Sequence, residues 1–296
     1  MIKKVLLWIL SIAVTLIVIG GGVAALALHN TTSKIHSMDS SLSKASDTKT
    51  SAGKPVSYLL LGTDTGALGR TEKGRTDTMM VMSVNPNTKT TTMVSLQRDT
   101  KITIDGMTEK LNAAYALGDA KQAMTTVEQL FDIKLDGYLL VNMKGMEQLV
   151  DAVGGVTVKS PLTFSYEGYS FTENQDVTMN GTEALAFSRM RYDDPRGDYG
   201  RQIRQQLVIE AVLNKLKANP QSALNNEFLD AVSDNVRSNI SLTSMRNLAT
   251  KYRNAGETIN RDQMTGTGVM IDGVSYQEMS QDEITRVHNE IVNAEK

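Results

Sequence analysis

Apolar side chains fall along this chain in three regimes. Residues 5–28, VLLWILSIAVTLIVIGGGVAALAL, are apolar throughout and carry no charge. Residues 30–54 are Ser-, Thr- and Lys-rich with almost no large apolar side chains. From Pro55 the pattern alternates between short apolar runs and helical spacings. VSYLLLGTD (56–64) predicts a buried strand entering a glycine turn, while DTMMVMSVN and TTTMVSLQRD predict two strands joined through PNTK. KLNAAYALG and AKQAMTTVEQLFDI predict helices, DGYLLVNM a strand, KGMEQLVDAVGG a helix stopped by glycines, and VTV (156–158) a short β segment. NGTEALAFSRMR predicts a helix, and residues 200–218 a long one with Arg201, Gln205, Val208 and Val212 on one face. Two further helical stretches (221–236 and 241–253) precede a hairpin and a terminal helix. Strands alternating with helices predict an α/β class with a central mixed sheet, and uninterrupted composition from 55 to 296 predicts one domain there.

The first two regimes set the organisation. At about 1.5 Å per residue, residues 5–28 are long enough to cross a hydrocarbon core of about 30 Å. Lys3 and Lys4 place residues 1–4 in the cytoplasm by the positive-inside rule, with the rest of the chain outside. A cleaved signal peptide is the competing reading, since Ala25-Leu26-Ala27 resembles a cleavage site, but a signal's apolar core spans only ~7–15 residues. Residues 30–54 predict a flexible tether, because such a composition cannot bury enough surface to offset ordering entropy. The expected organisation is therefore a single-pass membrane protein with an extracellular domain.

Composition narrows the chemistry. A net charge of −2 excludes a global field for nucleic acid, and no basic, aromatic-interleaved patch is present. The chain has no cysteine, which excludes disulfides, thiolate catalysis and zinc–thiolate sites. Its three histidines, His29, His36 and His288, lie away from every motif below. Carboxylates, guanidinium groups, amines and hydroxyls remain.

Three stretches concentrate those groups. In LLLGTDTGALGRTEKGRTDTMMV, Asp64 follows one strand and Asp77 opens the next, across a glycine-rich loop carrying Arg70, Lys73 and Arg75. Carboxylates at neighbouring strand ends can share a hard cation such as Mg²⁺ (or Mn²⁺); alternatively they cap turns. In VSLQRDT, Arg98 and Asp99 end a strand, where ligand groups gather in open α/β sheets; a surface ion pair is the plainer reading. FSRMRYDDPRGDYGRQIRQQ (187–206) holds five arginines and three aspartates. Arg189 and Arg191 flank one residue, Arg201 and Gln205 are one helical turn apart, Arg204 lies on an adjacent face, and Arg196 is expected to be solvated. Converging planar forks suit a pyrophosphate, although the aspartates can neutralise some of them.

GTD…GRTDTMMV, SLQRDT, KLNAAYALG, LVDAVGGV and SRMR…DYGRQIRQQ, in this order, resemble the LytR–CpsA–Psr family of Gram-positive envelopes. The resemblance runs from about Val56 to the RQQ helix and more loosely to the C-terminus. It implies an α/β/α domain with an apolar cavity for a polyprenyl chain. The implied activity is a phosphotransferase moving a glycopolymer, wall teichoic acid or polysaccharide, from undecaprenyl diphosphate to the muramic acid C6 hydroxyl of peptidoglycan. By motif, the metal ligands would be Asp64 and Asp77, and the pyrophosphate ligands Arg75, Arg98, Arg189, Arg191, Arg201 and Gln205. Arg98, Asp77 and Arg75 would be the catalytic set, and Asp99 or Asp198 a candidate general base. Gln97 and the threonine of GRTDT depart from the family's commoner proline and serine without removing a charge. The alternatives are a polyprenyl diphosphate hydrolase and a non-catalytic lipid-binding or regulatory protein of the transcriptional-attenuator type.

Overall fold

A computed structural model describes residues 40–63, 74–219, 222 and 225–296. The expected cytoplasmic tail and membrane segment (residues 1–28), together with Asp64, Arg70 and Lys73, lie outside the described residues.

Six strands form the central sheet: β1 (Val56–Thr63), β2 (Thr76–Asn85), β3 (Thr90–Ser95), β6 (Gly137–Asn142), β11 (Val236–Ser238) and β12 (Thr258–Gln263), ordered β11-β6-β1-β2-β3-β12. The sheet is mixed, as the sequence predicts. β1 runs antiparallel to β2 and parallel to β6, and β3 is antiparallel to β2 and parallel to β12. Strand side chains alternate between two cores, the period-2 consequence of pleating. Tyr58, Met80, Met82, Met93 and Leu139 enter one core, while Leu59, Val81, Val94 and Tyr138 enter the other.

The first core is covered by α3 (Met143–Ala152), α4 (Gly181–Arg189), α5 (Asp198–Ala218), α6 (Asn226–Asn235) and α7 (Leu242–Lys251). The second is covered by α2 (Ala113–Phe131) and α8 (Gln281–Ala294), giving an α/β/α sandwich. The two helices expected in this region are present within α2, separated by a kink of non-helical backbone at Gly118 and Asp119. Short hairpins decorate the layers: β4–β5 (Lys101–Ile104, Met107–Lys110), β8–β9 (Phe164–Tyr166, Tyr169–Phe171) and β13–β14 (Thr267–Ile271, Val274–Glu278). β7 (Val156–Lys159) pairs with β10 (Asp176–Met179).

The tether expected through Lys54 ends sooner. Ser40–Ser51 form helix α1, in which Ser46 and Thr50 are fully buried. Thr50 Oγ1 lies 3.1 Å from Ser244 Oγ, Ser244 Oγ donates to Asp47 at 2.6 Å, and Lys49 Nζ pairs with Asp136 at 3.0 Å. Small hydroxyl side chains let the two helices approach and satisfy each other by hydrogen bonding. The contact therefore leaves no apolar period in the sequence, which is why composition alone reads as tether.

Candidate functional site

Four chain segments converge at one edge of the sheet. β1 and β6 end there at Thr63 and Asn142, β2 starts there, and β3 delivers Arg98 just beyond its C-terminal end. Ligands in open α/β sheets gather at this carboxyl edge. The N-terminus of α5 arrives at the same place after Gly197, whose φ of 55° is costly for any residue with a Cβ.

The sequence places guanidinium groups around Asp198. Its Oδ1 lies 2.9 Å from Arg201 Nη2, 3.4 Å from Arg98 Nη2 and 3.8 Å from Arg191 Nε. Neither Asp198 oxygen accepts a directed hydrogen bond, so these contacts are Coulombic. Arg98 donates to Asp77, Arg201 Nη2 donates to the Asp77 carbonyl at 2.8 Å, and Lys110 Nζ holds Asp99 at 2.8 Å. Arg98 Nε and Arg201 Nε are buried without a hydrogen-bond partner, leaving donor capacity inside the cluster. Burial works against the charge on Arg98, but Asp198, Asp77 and Asp99 outweigh it and hold the guanidinium above its usual value. Arg201 goes the other way: burial dominates and Arg98 and Arg191 add repulsion, against partial relief from Asp198.

A cavity of about 430 Å³ opens beside this cluster. Asp77, Arg98, Arg189, Arg191, Arg201 and Gln205 line it together with Leu60, Leu139, Val141, Met146, Leu149, Leu185, Ile209 and Val212. Helix α5 shows the gradient directly: Arg201, Gln205, Ile209 and Val212 follow one another along the lining over ~16 Å at about 1.5 Å per residue. Polar groups lie toward its N-terminus and apolar ones toward its middle.

Of the sequence-predicted site residues, Asp77, Arg98, Arg189, Arg191, Arg201 and Gln205 are brought together on this lining. Arg189 also donates to Glu167 at 2.8 Å. Arg75 is exposed and does not line the cavity, and Asp64 lies outside the described residues. Arg204 turns away altogether. Its Nε donates to the Phe187 carbonyl at 3.0 Å, its Nη1 to Asp194, its Nη2 to the Met190 carbonyl, and its guanidinium stacks 5.1 Å from the Phe164 ring. Arg196 is exposed, as expected, and also donates to Asp194 at 3.2 Å. Sequence reasoning missed the bracing glutamines: Gln202 donates to the Leu96 carbonyl at 3.1 Å, and Gln206 to Ser95 and to the Asp262 carbonyl, each at 2.9 Å. A polar residue at a core-facing helical position was the available signal.

A carboxylate donor suits a hard cation in kind. On the cavity lining that donor is the Asp77 carboxylate, whose Oδ1 already accepts from Arg98. No cluster of three or more His, Cys, Asp or Glu ligands occurs among the described residues.

The fold and site define an α/β/α protein with guanidinium groups at the carboxyl edge of its sheet, beside a cavity with polar and apolar lining. The chain belongs to the LytR_cpsA_psr family, whose profile matches residues 23–293. It is 47% identical over 253 residues to the polyisoprenyl-teichoic acid–peptidoglycan teichoic acid transferase TagU of Enterococcus faecalis, covering 85% of this chain and 83% of that protein. Among solved structures, a Streptococcus agalactiae protein matches with TM-score 0.75 and 38% identity, covering 83% of this chain and 89% of the other. The crystal structure of Bacillus subtilis TagU matches with TM-score 0.64 and 35% identity, covering 82% and 97%.

Proposed function

We propose that this protein is a membrane-anchored phosphotransferase that moves a glycopolymer from a polyprenyl diphosphate carrier onto peptidoglycan. The observation that carries the reading is the cavity in which Asp77, Arg98, Arg189, Arg191, Arg201 and Gln205 share one lining with Leu139, Val141, Leu149, Ile209 and Val212. A lipid diphosphate has the same sequence of polarities, an anionic head on an apolar tail. The relative named as a teichoic acid transferase supports teichoic acid as the polymer class. Undecaprenyl diphosphate is the carrier and the muramic acid C6 hydroxyl the acceptor in this reading. Residues 5–28 anchor the chain, with its N-terminus inside and the catalytic domain outside.

In this reaction the acceptor oxygen bonds to the phosphorus that carries the glycopolymer. The bond from that phosphorus to the bridging oxygen breaks, and prenyl monophosphate leaves with the electron pair. The acceptor proton passes to a carboxylate of the cluster, Asp99 or Asp198. Phosphoryl transfer proceeds through a loose transition state with charge spread over oxygens, so catalysis is mainly positioning and electrostatic stabilisation. Arg98 and Arg201 are fixed by Asp77 and Asp198 before substrate arrives, so little reorganisation accompanies the chemistry. Arg191 and Arg189 sit on the same lining and bind the diphosphate oxygens. Asp77 with Asp64 would hold Mg²⁺ or Mn²⁺, which when bound neutralises charge on the diphosphate.

The test is to incubate the full-length chain in detergent with a lipid-linked glycopolymer, with and without peptidoglycan, and to extract the purified protein for mass spectrometry. The expected result is polymer transfer that requires the acceptor, and a polyprenyl phosphate in the extract. Polymer release at the same rate without acceptor would replace transfer with hydrolysis. Absence of both transfer and bound lipid would overturn the reading.

A further inference from the structure

Tyr192 is 90% exposed, the most exposed large hydrophobic residue among those described, and it lines the cavity. Exposed aromatic rings at a cleft usually meet something apolar. Its backbone is held in place from beneath. Buried Arg204 clamps the Phe187 and Met190 carbonyls, Asp194 N donates to the Arg191 carbonyl at 3.3 Å, and Gly197 N donates to the Asp194 carbonyl at 2.8 Å. The Arg191 guanidinium lies 5.6 Å from the Tyr192 ring centroid. A rigid turn thus presents an aromatic face immediately beside a guanidinium that shares the cavity lining with Arg98 and Arg201.

We propose that Tyr192 is a sugar-stacking, specificity-determining residue: its ring packs against the C–H face of a pyranose held next to the diphosphate. A pyranose ring has one face of axial C–H bonds, which packs on the negative face of an aromatic ring. The residue is one position from Arg191, so a ring on Tyr192 lies within one sugar's length of the anion site. Lipid tails are served by the aliphatic lining, which leaves an exposed tyrosine to the glycan side. This inference rests on the transferase reading above. The pyranose belongs either to the first sugar of the donor or to the acceptor glycan.

The experiment compares wild type, Tyr192→Ala and Tyr192→Phe as full-length protein in detergent. Three quantities are measured: the Kd of a short prenyl diphosphate without sugar, the Kd of the same compound carrying one hexose on its terminal phosphate, and the KM for a soluble peptidoglycan glycan. Tyr192→Ala is expected to weaken a sugar-bearing ligand by roughly three- to tenfold, leaving the sugarless diphosphate unchanged. Tyr192→Phe is expected to behave like wild type, and melting temperatures to agree. Loss confined to the hexose-bearing diphosphate assigns the donor sugar; a raised KM for the glycan alone assigns the acceptor. Equal weakening of both diphosphates, an effect on neither sugar ligand, or an effect confined to binding lipid vesicles would overturn the proposal. Failure of the wild type to bind the sugarless diphosphate is a different result, and sinks the transferase reading beneath it.

Discussion

Two arginine–aspartate assemblies flank the same turn and use the same residue types to opposite ends. In one, Arg204 and Asp194 are both fully buried, and every guanidinium nitrogen of Arg204 has a partner: Phe187, Asp194 and Met190. Gly200 packs over it so closely that an added Cβ would fall 1.8 Å from Asp194 Oδ2. In the other, Arg98, Arg191 and Arg201 crowd one carboxylate, Asp198, with two guanidinium nitrogens lacking a hydrogen-bond partner and a cavity alongside. The closed assembly fixes the turn, and the open one has charge left for a ligand. Saturation of donors, not the presence of arginine, separates structure from function here.

The largest expected effect is on the closed side. Arg204→Met leaves Asp194 buried with only the partly exposed Arg196, and should cost about 3–5 kcal/mol in chemical denaturation. A loss below 1 kcal/mol would erase the distinction. Next comes the open side: Arg98→Ala should lower transfer by about a hundredfold or more while shifting the melting temperature far less than Arg204→Met. Transfer within a fewfold of wild type would remove Arg98 from the site.

A third contrast uses pH. Burial opposes charge on Asp194, but hydrogen bonds from Arg196 and Arg204 outweigh it and hold the carboxyl below its usual value. Because the folded value is depressed, the stability it contributes is present above the ordinary value of about 3.9 and is lost as pH falls through the folded one. The stability difference between wild type and Asp194→Asn should therefore shrink on acidification below about pH 4. A constant difference would show that the pair is not the acid-sensitive element. Smallest is Arg196→Ala, a half-exposed partner of Asp194, expected to cost under ~1 kcal/mol in the same titration.

Much of the sheet was legible because apolar alternation is what a two-faced sheet requires: VSYLLLGT and TDTMMVMSVN became β1 and β2 as read. β12, Thr258–Gln263, escaped notice because TINRDQ is a half-exposed edge strand with no apolar run. Helix α1 escaped because its packing face is made of serine and threonine. In the site, spacing predicted that Arg201 and Gln205 share a face, and both line the cavity. Spacing could not tell Arg204 from Arg201, since one helical turn separates a saturated brace from an open ligand. That difference is set by Phe187, Met190 and Asp194, which only the tertiary structure brings to it.

Under the proposed membrane anchoring, helix α1 would also set how far the folded domain can work from the bilayer. Twelve Cα-to-Cα steps separate Leu28 from Ser40, a leash of at most ~43 Å at about 3.6 Å per step, against ~94 Å if the chain were loose to Lys54. If residues 5–28 lie in the bilayer as proposed, that upper bound would favour collecting a carrier whose own tail is embedded in the same membrane. It would also confine the proposed attachment to the innermost layers of the wall.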